Sequence, residues 1–387
     1  MKILYLSTPN FADCDFPLVR AFQKKGVNIT YLIILSPWFL KSSLIDIKQQ
    51  HPQTKIFPAI VYPELKYLEN YLDMDKVYVS NRTGKNSLTF SYWKSIWNIR
   101  RFIKQGDFDV IHYPGYRGNR WCYKLASLVT TFHDPFPHAG EDYKNQKKNY
   151  TRAVKRSKGV VLLNNIQLDD FCKFYSINPQ KVLVNSLGVY DNIQCFVKQK
   201  IKPIKNHILF FGRISPYKGI EYLCEAIKLV HEQIPDATLT IAGRGKMYFD
   251  IEPYKQLDYI NIKNCYISMT ELAEMLSLCE LCVCPYTDAT QSGVIMTCFA
   301  LGKPVVASAV GGFREVIEDG KSGILVPPKD VNALAEAIID LLKNDEQKQK
   351  MSEYIYNEYF QGEKSWSAIA DRYLKYYSDV IENRIND

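Results

Sequence analysis

The sequence predicts an α/β protein of two doubly wound, Rossmann-like domains in tandem, and three observations carry that prediction. Short apolar runs alternate with amphipathic stretches nearly from end to end, the pattern of mostly parallel sheets covered on both faces by helices. At 387 residues the chain exceeds one ordinary core and suits two such domains. A lysine-rich stretch with no stable period, 194–206, interrupts the alternation, and a fresh apolar run follows it at once. The expected division is a first domain over 1–193, a linker over 194–206 and a second domain over 207–364.

In the first half, strands are expected at 2–7, 28–34, 108–113, 128–132, 159–163 and 181–184, with helices at 16–25 and 93–104 among those between them. The stretch 36–89 has the weakest pattern and reads as an insertion. The second half opens on a strand at 207–212. Leu223, Ala226, Ile227, Val230 and Ile234 then give a helix one buried face. Further strands are expected at 237–242, 281–285, 304–308 and 324–326. Ser268-Met269-Thr270-Glu271 has the form of a capping box, and Asp330 is placed to cap a helix over 331–343. Open α/β sheets bind ligands at the carboxyl ends of their strands, so a cleft faced by both sheets is the expected site.

Composition excludes several classes. Hydrophobic residues make up 47% and charged residues 23%, which rules out a disordered, collagen-like or coiled-coil chain. The apolar run 3–6 is shorter than a signal peptide requires, and no window approaches the roughly 20 apolar residues of a spanning helix. A cytoplasmic protein is expected, with peripheral contact at the inner face of the membrane left open. Of ten cysteines, only Cys279, Cys282 and Cys284 cluster, without a second pair at ligand spacing, so buried reduced thiols are expected rather than a metal site. The net charge of +8 is uneven: Lys144, Lys148, Arg152 and Lys155 follow helical spacing. They read as a solvated helix face, or as a patch for an anionic membrane or a diphosphate-lipid acceptor. No recognition motif accompanies the charge, which argues against a nucleic-acid partner.

Two segments carry chemistry. In Gly212-Arg213-Ile214-Ser215-Pro216-Tyr217-Lys218-Gly219, two cations five positions apart sit in a glycine-bounded loop between a strand and a helix. That combination suits a diphosphate, which needs charged donors, helix amides and clearance. In 285–308, a strand leads through a small-residue turn into a helix, and Thr290, Ser292 and Gly293 would aim free backbone N–H groups outward.

Together with Gly243-Arg244-Gly245 and Val310-Gly311-Gly312, these segments resemble the retaining family 4 glycosyltransferases, specifically over about 208–342 and diffusely before that. The resemblance implies the GT-B fold and a hexosyltransferase-like enzyme that moves a sugar from a nucleoside diphosphate, UDP or GDP, to an acceptor hydroxyl. The acceptor would be a saccharide or lipid-linked saccharide in bacterial surface polysaccharide or glycolipid synthesis. It implies that Arg213 and Lys218 hold the donor diphosphate, that Gly243 and Gly245 lie near the nucleotide, and that Ser292, Gly293 and Val294 offer amides to the phosphates. It also implies that a helix at 366–381 crosses back, assigning 365–387 to the first domain. No cofactor or metal is expected; the nucleotide-sugar is a substrate.

Two departures stand out. Many members carry two glutamates that usually contact the donor sugar and ribose, where this chain has Ala289 and Thr297; the Gln291-Ser292-Gly293 turn is a familiar variant among bacterial members. The usual Gly-Gly turn after the first strand is replaced by a segment holding Asp13 and Asp15, read as acceptor contacts, a base or, preferably, helix caps. An Asp-x-Asp pair can bind a metal, but no phosphate loop accompanies this one. His133 and Asp134 end a strand and are expected at the transferred sugar, with His138, Glu141 and Tyr116 toward the acceptor. Two other readings use the same frame: a sugar-nucleotide epimerase, which would need cleft carboxylates, and a degenerate sugar-nucleotide-binding subunit, suggested by Ala289 and Thr297.

Overall fold

A computed structural model describes the chain except residues 38–39, 48–54, 83–87, 116–119, 137–143, 200, 290–292 and 385–387. Tyr116, His138, Glu141, Thr290, Gln291 and Ser292 therefore lie outside the described residues. The chain forms two compact units, one of Met1–Gly188 with Trp366–Asp387 and the other of Val189–Ser365.

The first unit is built on eight strands: β1 (Lys2–Ser7), β2 (Asn28–Leu35), β3 (Ile56–Pro58), β4 (Val77–Asn81), β5 (Val110–His112), β6 (Ser127–Phe132), β7 (Gly159–Leu162) and β8 (Val182–Val184). Their order is β3-β4-β2-β1-β5-β6-β7-β8, parallel except for β3 on β4. The helices are α1 (Ala12–Lys24), α2 (Phe90–Gly106), α3 (Arg120–Tyr123), α4 (Lys144–Arg156) and α5 (Leu168–Tyr175), joined by the last helix of the chain, Trp366–Ile381.

Strand alternation divides the covering. Leu4 and Leu6 of β1 enter a core with Ile96, Ile99 and Ile103 of α2, Cys122 of α3, Val154 of α4 and Phe171 of α5, so these four helices share one sheet face. Tyr5 points the other way, toward α1 and the last helix, which pack on each other through Phe22 and Tyr377. Both faces are thus buried, as a parallel sheet requires. The stretch read as an insertion, 36–89, supplies β3 and β4, and β4 continues the parallel sheet beside β2.

The second unit holds a six-stranded parallel sheet in the order β11-β10-β9-β12-β13-β14, from β9 (His207–Phe211), β10 (Thr238–Ala242), β11 (Ile260–Lys263), β12 (Leu281–Cys284), β13 (Val305–Ser308) and β14 (Gly323–Val326). Its helices are α6 (Ile220–Gln233), α7 (Glu252–Lys255), α8 (Met269–Leu278), α9 (Gly293–Ala300), α10 (Phe313–Val316), α11 (Val331–Lys343) and α12 (Asp345–Tyr356), which makes Trp366–Ile381 α13. Leu223, Ala226, Ile227 and Val230 of α6 are fully buried, as their spacing predicts. Ser268 and Glu271 form the reciprocal capping box of α8, and the Asp330 side chain accepts from Ala333 N–H at 2.9 Å to start α11.

The chain changes unit at Gly188–Val189, so the stretch read as a linker belongs to the second unit. Gln194 donates to the Ala300 carbonyl at 3.0 Å and Ile204 N–H to the Leu278 carbonyl at 2.8 Å. Lys198, Lys202 and Lys205 are exposed on this strap, which these two bonds anchor. All ten cysteines are free; eight are buried, while Cys195 is half-buried and Cys265 exposed.

Candidate active site

In the second sheet, β9 has β10 on one side and β12 on the other, so the chain reverses its direction of winding there. Ligands of doubly wound sheets bind beyond the carboxyl ends at such a point. The loops leaving β9, β10 and β12 carry Arg213 and Lys218, Gly243 to Gly245, and the turn into α9.

Backbone packing draws these loops together. Gly243 has φ +154°, and a Cβ there would lie 1.7 Å from the Gly212 carbonyl oxygen. Ile214 N–H donates to the Arg244 carbonyl at 3.2 Å, extending the β9–β10 pairing past the strand ends. A Cβ on Gly212 would sit 3.6 Å from the Val294 side chain, so the end of β9 abuts the first turn of α9. Gly219 adopts φ +62° as the N-cap of α6, with the Pro285 carbonyl 2.0 Å from where a Cβ would stand. Only glycine fits these two bends.

Lys218 closes the short turn Pro216–Lys218 and is buried, 8% exposed. Its Nζ lies 3.7 Å from the centre of the Tyr286 ring and 4.9 Å from that of Tyr217. Among the described residues no carboxylate or hydrogen-bond acceptor meets it. Burial, reinforced by the nearby Arg213, lowers its pKa to about 7, against a smaller opposing pull from the Cys284 thiol. Two aromatic rings stabilise a cation through their faces but cannot replace its hydration. Arg213 is exposed, and its guanidinium donates to the Tyr217 hydroxyl at 3.2 Å. The buried Ser215 hydroxyl has no hydrogen-bond partner among the described residues. The loop therefore presents an under-compensated cation, a second cation held beside it and an orphaned hydroxyl, next to the amino end of a helix. It is built to receive an anion.

The first unit has the same kind of reversal at β1, between β2 and β5. His133 follows β6 and stacks on Phe11 of the β1–α1 loop, ring centres 4.4 Å apart at 21°. Burial lowers its pKa to about 4, against the pull of Asp134, so at neutral pH it is an uncharged imidazole able to donate and accept. Asp13, in the first turn of α1, is half-buried and accepts from Cys14 N–H at 3.1 Å; burial raises its carboxyl to about 6. Asp15 is wholly buried, accepts from the Tyr5 hydroxyl at 2.7 Å and is raised by burial to about 8. His112, at the end of β5, bonds Thr131 at 2.7 Å and the Tyr377 hydroxyl of α13.

Comparison with known proteins decides between the readings. A family model described as glycosyl transferases group 1 matches residues 205–344, and one described as Glycosyltransferase Family 4 matches residues 55–192. The chain belongs to glycosyltransferase family 4. A phosphatidyl-myo-inositol mannosyltransferase of Mycobacterium leprae is 26% identical over 306 residues, 73% of this chain and 76% of that protein. An alpha-D-kanosaminyltransferase of Streptomyces kanamyceticus is 34% identical over 150 residues, 38% of this chain and 39% of that protein. Among solved structures, Anabaena Alr3699/HepE in complex with UDP superposes with a TM-score of 0.64 at 17% identity, covering 98% of this chain and all of that one. A putative UDP-N-acetylglucosamine 2-epimerase of Listeria monocytogenes gives 0.63 at 16% identity, covering all of this chain and 99% of that one; at that identity the likeness speaks to the fold alone. The enzyme is a glycosyltransferase with the GT-B fold.

Within this family 4 enzyme, the structure brings together Arg213, Lys218, Gly243, Gly245, Gly293 and Val294 at the carboxyl end of the second sheet. It corrects three expectations. Asp13 and Asp15 are not caps: the N-cap of α1 is Phe11, which makes no side-chain cap bond, and the helix starts four residues before the expected position 16. Asp15 is fully buried under β1 and cannot touch an acceptor. Thr297 spends its hydroxyl on the Gly293 carbonyl of its own helix at 2.7 Å and is buried, so it supports the first turn of α9. Ala289 likewise serves through its backbone, accepting from Gly312 N–H at 3.3 Å. The space that a Gly293 side chain would fill is taken by the Tyr190 ring, 2.7 Å from the Cβ position. Sequence reasoning missed Tyr217 and Tyr286 around Lys218, and Phe11 under His133. Tyr286 was findable as the second residue beyond β12, but its ring contact depends on tertiary packing.

Proposed function

We propose that the second unit holds the diphosphate of a nucleoside diphosphate sugar on Lys218, Arg213 and the amides of Gly293 and Val294, with Ser215 as an added donor. The observation that carries the reading is Lys218, a buried ammonium with no anionic partner among the described residues at the sheet's reversal point. UDP is the favoured nucleotide, because the structural neighbour from Anabaena was solved with UDP. Transfer proceeds with retention. The bond from the anomeric carbon to the β-phosphate oxygen breaks with its electron pair leaving on the diphosphate. The acceptor oxygen bonds to the same face and its proton passes to the departing phosphate. Lys218, Arg213 and the helix amides stabilise the charge that develops there. Two cations and a helix terminus supply what a divalent ion would supply, so the reaction needs no metal and no cofactor.

The neutral imidazole of His133 and the carboxylate of Asp134 serve sugar hydroxyls. The acceptor is a saccharide or lipid-linked saccharide, a reading supported by the mycobacterial relative whose name states a phosphatidyl-myo-inositol acceptor. A lipid-linked acceptor sits in a membrane, and with it the protein works in peripheral contact with an anionic bilayer at the cytoplasmic face; no helix among the described residues is long and apolar enough to cross one. The test is titration calorimetry of UDP, GDP and ADP, alone and as sugar conjugates, against the wild type, Arg213→Ala and Lys218→Met. Binding of a nucleoside diphosphate that each substitution weakens at least tenfold supports the site; affinity unchanged in both sinks it.

A further inference from the structure

We propose that the outer face of α2, continued by α3 and α4, is the surface by which the first unit lies on an anionic lipid bilayer. The proposal rests on the membrane contact proposed above and names the face that makes it. Along α2, Phe90, Trp93, Lys94, Trp97, Arg101 and Lys104 are all exposed and recur at three- and four-residue intervals, so they form one stripe. Phe90 is 84% exposed, Trp97 51% and Trp93 48%, while the opposite side of the helix is buried through Ile96, Ile99 and Ile103. Leu88, just before the helix, is 92% exposed. On the neighbouring α3, Trp121 is also exposed, with the Arg100 guanidinium 4.4 Å from its ring centre.

Charge points to the occupant. The 17 residues of α2 include four lysines and arginines and no carboxylate; the 13 residues of α4 include six and again none. Both helices pack on the same face of the first sheet, so their outward sides belong to one surface. A water-facing helix would normally intersperse both signs and avoid exposed tryptophan. Tryptophan, phenylalanine and leucine bracketed by lysine and arginine match the bilayer interface, where indole rings sit at headgroup depth and cations are attracted to anionic headgroups. The basic spacing on α4 is thereby explained: it extends a surface whose apolar anchors lie on α2 and α3.

The experiment is co-sedimentation of the full chain with vesicles of phosphatidylcholine alone and of equimolar phosphatidylcholine and phosphatidylglycerol. It is repeated with Trp93→Ala/Trp97→Ala and Lys94→Glu/Arg101→Glu, exposed positions whose substitution leaves the core intact. Circular dichroism and UDP binding by calorimetry serve as controls. The expected result is binding to the anionic vesicles at least tenfold tighter than to the neutral ones. Each double substitution should weaken it at least tenfold with both controls unchanged. Anionic-vesicle binding that ignores both double substitutions overturns this face while leaving membrane contact standing. Failure of the wild type to bind any vesicle overturns both. Capture of a short single-stranded oligonucleotide in place of vesicles assigns the face to nucleic acid and also overturns the proposal. None of these outcomes bears on the diphosphate site, which UDP binding reads separately.

Discussion

Lys218 makes donor binding a proton-coupled event. Its ammonium is held at a pKa of about 7 by burial, and an arriving diphosphate supplies the counter-charge that the fold withholds. The bound pKa must then rise toward or past the ordinary lysine value of about 10.4. Between those values, binding takes up a proton, so affinity falls as pH rises. With a free-state pKa of about 7, the charged fraction drops from about nine-tenths at pH 6 to about one-thirtieth at pH 8.5. If only the charged form binds, the apparent Kd of a UDP-sugar weakens by about the same ratio, roughly thirtyfold. Calorimetry at pH 8 in buffers of different ionisation enthalpy should report uptake of about 0.9 proton per nucleotide bound. Lys218→Met should abolish both the slope and the uptake. A flat affinity from pH 6 to 8.5, or a slope that survives the substitution, refutes the reasoning. The same group also weakens the unliganded fold. A lysine whose folded pKa lies below its unfolded value destabilises most below the folded pKa, and the cost fades as pH climbs toward the unfolded one. Lys218→Met should therefore raise Tm at pH 7, with the gain shrinking toward pH 10.

Arg213→Ala should cut kcat roughly a hundredfold to a thousandfold, as for loss of one preorganised donor to developing charge, with Tm within a few degrees of the wild type; full turnover would remove Arg213 from the site. Asp15 has a folded pKa of about 8, above its unfolded value, so its stabilising contribution is complete at low pH and is lost as pH rises toward 8. Asp15→Asn, which can still accept from Tyr5, should raise Tm at pH 8 and converge with the wild type near pH 4; an equal gain at both would exclude titration of this carboxyl. Gly243→Ala forces a Cβ to within 1.7 Å of the Gly212 carbonyl at φ +154° and should cost more than about 2 kcal/mol in urea unfolding, with donor affinity lost. A denaturation midpoint unchanged by that substitution would mean that the β9 and β10 loops are not packed as described.

Much of this architecture is legible in the amino-acid order, because helices and strands with one strongly apolar face announce themselves. The helix at 331–343 has the bounds read from its cap, the helix at 366–381 has the bounds the resemblance implies, and Ser268, Glu271 and Asp330 cap as their spacing requires. The failures have local causes. Strand β3 is three residues ending in Pro58, and β11 alternates too weakly, with only Ile260 buried. Helix α12 is mostly polar, burying Lys348, Met351 and Ile355. The helix expected at 16–25 begins instead at Ala12 and takes Pro17 inside its second turn. At the site, the cation pair and the glycine bends could be read because loop chemistry is local. The burial of Lys218 against Tyr286 could not: it depends on β9 and β12 lying side by side, a pairing of residues some 70 positions apart. The same holds for Asp15, whose place near a strand end gave no sign that Tyr5 and Tyr31 would enclose it.

The most direct test is a crystal structure of the protein with a UDP-sugar. The account predicts Lys218 Nζ and the Arg213 guanidinium within about 3 Å of diphosphate oxygens, with the Gly293 and Val294 amides on the same group. A nucleotide bound elsewhere, while Lys218 stays against the Tyr217 and Tyr286 rings and Arg213 on the Tyr217 hydroxyl, would contradict it.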